Sequence, residues 1–114
     1  MIKRNEGMRT EIRNKMRGGD GDVTILHMLE KEDMMGKARF AARMTLPPGA
    51  SIGEHPHGPD AEIYIIVSGT AQIDDNGTVH TLGAGDAVFT GGGESHSVVN
   101  AGDEPMEIIA VIIE

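Results

Sequence analysis

The sequence predicts an all-β protein, a sandwich or barrel of short strands, and three observations carry that reading. Apolar runs of strand length recur at short, even spacing, roughly eight in all. Sixteen glycines and five prolines among 114 residues supply the turns between them. With one Tyr, two Phe and no Trp, the core has to be built from aliphatic side chains. A length of 114 residues bounds the chain to a single domain, 1–114, with room for one core.

Taken in order, the elements begin with a polar segment, 1–20, that ends in RGGDGD. Met8, Ile12 and Met16 recur at i, i+4 and i+8, which reads as a short helix or equally as an arm laid across another surface. Val23–Leu29 (VTILHML) is the first β-rich run and stops at the charged turn KEDMMGK. The barrel core is expected over 38–113. Within it, Ala38–Leu46 alternates, with Phe40, Ala42, Met44 and Leu46 on one face and Arg39 and Arg43 on the other. Pro47-Pro48-Gly49 ends that ladder, since proline cannot donate to it. Glu62–Gly69 (EIYIIVSG) is the strongest strand. The runs TAQID and TVHTL flank Asp75-Asn76-Gly77, and Asn-Gly between alternating runs is a hairpin signal. Gly83-Ala84-Gly85 turns the chain into DAVFT, Gly91-Gly92-Gly93 leads to HSVVN, and Met106–Ile113 is the last strand.

Two strands ask for more than one core can give. In EIYIIV and EIIAVII, apolar residues occupy both parities, so both faces want cover. The second face must meet a second subunit or the N-terminal arm, and a homodimer is the expectation.

Charge and composition narrow the function classes. Ten basic and eighteen acidic residues leave a net charge of −8, so the average surface repels phosphate. The basic residues that cluster up to Arg17 alternate with acids and leave no nucleic-acid footprint. With no cysteine there is no disulfide, no thiolate metal site and no thiol nucleophile. The opening MIKRNEGMRT lacks the apolar core of a signal peptide, and no stretch approaches membrane-spanning length. A cytoplasmic protein that acts on neither nucleic acid nor membrane is expected.

The chemistry gathers around GASIGEHPHGPDAEIYIIVSG. His55 and His57, two apart on a strand, point to one side. Glu62 opens the next strong strand and converges with them if the two segments are neighbours, and His96 heads a later strand as a further ligand. Three imidazoles and a carboxylate make a mixed nitrogen and oxygen set that suits Mn, Fe, Co, Ni, Cu or Zn rather than Ca or Mg. Single histidines such as His27 and His80 read as ordinary polar residues, so spacing across two segments is what sets the four apart. Gly49, His55, His57, Glu62 and Gly69 are separated by five, one, four and six residues. Gly85, Gly91, Gly93, His96 and Asn100 are separated by five, one, two and three.

These spacings resemble the two signature motifs of the cupin family over Gly49–Asn100. The chain departs once, carrying Gly91 where the family usually has proline. The resemblance implies a small double-stranded β-helix, a jelly-roll barrel. It also implies that His55, His57, Glu62 and His96 are ligands of one divalent transition metal. Small single-domain cupins of this look are often described as oxalate-decarboxylase-like. The expected function is a metal-dependent enzyme acting on a small oxygen-rich substrate (carboxylate, keto or sugar-like) by decarboxylation, isomerisation or dioxygenation. The alternative is a non-catalytic cupin that binds or senses a small ligand.

Tyr64 shares the parity of Glu62 and is the candidate catalytic residue, either a donor beside the metal or core with a satisfied hydroxyl. Glu54, Asp60 and Glu94 lie near the motifs without a spacing that singles one out, and Glu54 and Asp60 read as solvated turn residues. Arg39 and Arg43 have the outward parity, which leaves an anionic substrate such as oxalate without an inward cation. Asn100 shares the inward parity of His96 and reads as a structural hydrogen-bonding group. The run Gly91-Gly92-Gly93 predicts a mobile lip beside His96.

Overall fold

The alternating runs become ten antiparallel strands in the computed structural model, which describes residues 1–114. They are β1 (Arg9–Asn14), β2 (Asp22–Leu29), β3 (Ala38–Leu46), β4 (Ser51–His57), β5 (Ala61–Ser68), β6 (Ala71–Asp75), β7 (Thr78–Leu82), β8 (Ala87–Thr90), β9 (Glu94–Asn100) and β10 (Met106–Ile113). One sheet has the order β1-β2-β3-β10-β5-β8 and the other β4-β9-β6-β7. Non-consecutive neighbours such as β3 beside β10 and β4 beside β9 make this a jelly roll.

The core lies between the sheets. Ile25, Met44, Leu46, Ile66 and Ile108 come from one sheet, and Ile52, Ile73 and Val98 from the other, all in one buried cluster. Each such side chain contributes about 1.5–3 kcal/mol by leaving water. The Asn76-Gly77 hairpin forms as expected, with both residues at positive φ (49° and 97°). Asn100 is the structural group that its parity suggests. Its amide donates to the carbonyls of Leu46 and Glu104, and its side-chain oxygen accepts from the Gly102 amide.

Two strands exceed the roughly eight read from the sequence. One is β4, which carries the histidine pair. The other is β1, which replaces the helix suggested by Met8, Ile12 and Met16. Residues 9–14 pair along the edge of β2, and a strand there leaves Ile12 64% exposed while Arg9, Glu11 and Arg13 share the opposite face. The i, i+4 spacing has no apolar surface to pack on, so ladder hydrogen bonds decide the conformation. The N-terminal segment also does not cover the outer face of β5 and β10, because it extends the far edge of the sheet instead.

The triple-glycine lip is tied down. The Gly93 amide donates to the His57 carbonyl at 2.8 Å, and the Glu94 amide to that of Gly91 at 3.2 Å. A Cβ at Gly91 would sit 2.9 Å from that of Ala61. Glycine at this position answers to close packing, and the family's proline has no room there.

No helix is long and apolar enough to cross a membrane.

Candidate metal centre

His55 and His57 stand on β4 and His96 on the neighbouring β9, while Glu62 reaches in from β5 of the opposite sheet. The cluster therefore sits between the sheets, with all four side chains buried. Strand parity alone does not put Ile52 and His55 on one face, since they are an odd number apart. A β-bulge solves this. Ile52 pairs with Val98 and His55 with His96, so three steps on β4 match two on β9. The extra residue falls at Gly53-Glu54, and beyond it the strand points its histidines inward.

Each ring is held by its far nitrogen. Nδ1 of His55 donates to the Gly53 carbonyl at 2.7 Å, and that of His57 to the Asp60 carboxylate at 3.2 Å. Nδ1 of His96 lies 2.8 Å from the Thr90 hydroxyl, which can accept from it. The carbonyl and carboxylate acceptors put the proton of His55 and His57 on Nδ1, the Thr90 hydroxyl allows the same for His96, and in that tautomer each Nε2 turns a lone pair to the centre. The Nε2 atoms of His57 and His96 each lie 3.0 Å from Glu62 Oε1, and those of His96 and His55 lie 3.0 Å apart. All four ligand atoms fall within 4.8 Å of one another.

Two of these atoms, His57 Nε2 and Glu62 Oε1, are buried without a hydrogen-bond partner. Burying an unpaired polar group costs about 1–3 kcal/mol. Three lone pairs and a carboxylate converging in that tautomer are what a cation satisfies. The donor set thus fits a divalent transition metal, and the cluster is positioned to bind one.

Tyr64, 1% exposed, stacks on the His96 ring with centroids 4.7 Å apart and planes at 15°. Burial, and then the nearby Glu62 charge, push its hydroxyl well above the ordinary tyrosine value. It stays protonated and can only donate to a ligand or accept as a neutral hydroxyl.

A cavity of about 450 Å³ opens on the cluster and includes His55, His57, Glu62 and Tyr64 in its wall. Its rim shows what the sequence reading missed. His27, read as an ordinary polar residue, is buried, with Nε2 2.6 Å from the Glu11 carboxylate and its ring edge-on to Phe40. Both Glu11 and Phe40 also line the cavity. His80 is exposed, as expected. Glu11 lies on β1, so a segment read as a helix or arm concealed this wall. Its carboxyl is held to about 2 by hydrogen bonds from Arg13 and His27.

Arg39 also lines the cavity, against the outward face assigned by parity. Ile112 pairs with Phe40 but Ile113 with Ala38, so Arg39 is the extra residue of a second bulge and is re-aimed inward. Arg43 does face out, bonded to Glu107 at 3.0 Å. Asp60 is not a solvated turn residue, because it bridges Arg39 and the His57 ring. Glu54 and Glu94 are exposed and take no part in the cluster.

Fold and cluster together define a jelly-roll barrel with an internal cluster of three histidines and one glutamate positioned to bind a metal. The chain belongs to the cupin family, whose Cupin_2 domain model matches residues 42–112. An oxalate-binding protein of Thermotoga maritima is 47% identical over 113 residues, spanning 99% of this chain and 93% of that protein. A solved structure described as a predicted oxalate decarboxylase, also from Thermotoga maritima, superposes with a TM-score of 0.94 at 47% identity, covering 99% of this chain and 98% of that one. Mannose-1-phosphate guanylyltransferase of Salmonella typhimurium is 33% identical over 76 residues, which are 67% of this chain but 16% of that enzyme.

Proposed function

We propose that this protein binds a small oxygen-donor anion, a carboxylate of the oxalate class, at one divalent transition metal held by His55, His57, Glu62 and His96. The observation that carries this reading is a contrast of charge. The chain as a whole carries −8. The cavity over the cluster is nonetheless lined by Arg9, Arg13, Arg17 and Arg39 against Glu11, Glu30 and Glu62, before a metal adds two positive charges. Such a lining concentrates small anions. The description of the Thermotoga relative as oxalate-binding supports the same class of ligand.

A bound Mn, Fe, Co, Ni, Cu or Zn ion would supply Lewis-acid polarisation of a ligand oxygen and, with a redox-active metal, electron transfer. The protein's own residues supply orientation. Gly53, Asp60 and Thr90 fix the three rings, and Tyr64 presents a protonated hydroxyl from the cavity wall. Metal-loaded protein is expected to bind oxalate in titration calorimetry, and protein stripped by a chelator is not. Equal binding by both forms would remove the metal from the function.

Tyr64 favours a second, catalytic reading. Decarboxylation of such an acid breaks a carbon–carbon bond, releases carbon dioxide and needs a proton for the carbon left behind. Tyr64 is the buried cavity residue that keeps its proton at neutral pH. Formate accumulating from oxalate in wild-type protein, and not in Tyr64→Phe, would assign it that role. Binding without turnover leaves the protein a carboxylate-binding cupin.

In this reading the protein works as a homodimer, with a second copy covering the outer face of β8, β5 and β10. Phe89 pairs across to Ile63, and Ile65 to Ala87, while Phe89, Ile65 and Ile113 stand 65%, 40% and 36% exposed. Light scattering is expected to give twice the chain mass for the wild type and the single mass for Ile65→Glu. A wild-type monomer at micromolar concentration would end the dimer proposal.

A further inference from the structure

Of the four arginines around the cavity, three are already matched. Arg9 lies 3.1 Å from Glu30, Arg13 lies 3.1 Å from Glu11, and Arg39 is paired with Asp60. Arg17 lines the same cavity as His55, His57, Glu62 and Tyr64 but takes part in none of the chain's ion pairs. Its charge also acts on the Tyr64 hydroxyl, opposing the upward push of burial.

The backbone that presents Arg17 is strained. Its φ and ψ are 54° and 29°, in the left-handed region, and Lys15 just before it has φ 52°. A non-glycine residue held there is strained and persists where the surroundings over-determine it. Here they do. The Lys15 amide donates to the Gly21 carbonyl, and the Gly19 amide to that of Met16. The Ser51 amide donates to the Asp20 carbonyl, and the Asp20 amide returns a bond to the Ser51 hydroxyl. Met16 packs against the core, and the Arg17 carbonyl rests on Gly53, where any side chain would collide with it. The loop is thus fastened to the bulge of β4 that also orients His55.

We propose that Arg17 is the anion-recognition residue of this cavity. Its guanidinium receives the carboxylate of a small acid whose second oxygen donor faces the histidine–glutamate cluster. The inference rests on the carboxylate-binding reading above and adds the residue that selects the ligand. A planar guanidinium can hold both oxygens of one carboxylate, which a lysine ammonium cannot reproduce.

The test is titration calorimetry with oxalate on the metal-loaded wild type, Arg17→Gln, Arg17→Lys and Arg43→Gln, with metal content and melting temperature measured on each. Arg17→Gln is expected to keep its metal and melting temperature and to lose oxalate affinity by roughly 10–100-fold. Arg17→Lys recovers part of that loss, and Arg43→Gln, on the outer face, binds as the wild type. Arg17→Gln binding oxalate as tightly as the wild type would overturn the role of Arg17 while leaving carboxylate binding intact. Loss of metal from Arg17→Gln would overturn it too, by making the loop a support of the metal site. A metal-loaded wild type that fails to bind oxalate removes the carboxylate reading itself, and Arg17's role with it.

Discussion

His96→Ala is expected to lose stoichiometric metal while the barrel stays folded. His96 supplies one of four converging donors, and its Nε2 lies 3.0 Å from both Glu62 Oε1 and His55 Nε2. Removing a group that merely orients a metal ligand typically costs 10–100-fold in affinity, so losing the ligand itself should exceed about 100-fold. The barrel should survive because the aliphatic cluster does not include His96. The variant loses the stacked face of Tyr64, worth about 0.5–1.5 kcal/mol beyond area burial, and leaves a small cavity. Elemental analysis after gel filtration should find metal in the wild type and little in the variant. Adding metal should raise the melting temperature of the wild type only, since a ligand that binds the native state alone stabilises by mass action. A variant that still carries one metal per chain would show that His96 is not a ligand.

The sequence was most informative where chemistry and spacing coincide. Strand parity joined His55 to His57, and the resemblance of the two spacing patterns to the cupin motifs joined to them His96 from the neighbouring strand and Glu62 from the opposite sheet. It was least informative where a bulge shifts the parity. An extra residue at Gly53-Glu54 is needed before both Ile52 and His55 can face inward, and a second at Arg39 turns an outward arginine into the cavity. A bulge has no periodic signature, because it is defined by the partner strand. The same limit hid β1, whose apolar content is too low to declare a strand and whose pairing with β2 is made by backbone groups. His27, Glu11 and Arg17 were therefore invisible as a cavity wall, although each is an ordinary polar residue in its own segment.

Gly53→Ala tests the joint between that wall and the metal site. Gly53 is the bulge residue whose carbonyl accepts from His55 Nδ1 at 2.7 Å. On its other side it meets backbone, since a Cβ there would collide with the Arg17 carbonyl and stand 3.0 Å from the Gly19 amide nitrogen. No flexible side chain is available to give way, so either the Lys15–Gly19 turn lifts or the bulge shifts. Overpacking of this kind costs typically about 1–3 kcal/mol. If the bulge moves, the His55 ring loses the acceptor that fixes its tautomer, and metal affinity should fall about 10–100-fold. If only the turn lifts, metal is kept while Arg17 leaves the cavity and oxalate binding weakens. The wild type and Gly53→Ala compared by urea melts, elemental analysis and oxalate titration separate these two routes. Wild-type stability together with wild-type metal and oxalate binding in Gly53→Ala would show that the turn and the bulge are not in contact, and the coupling between cavity wall and metal site would fall.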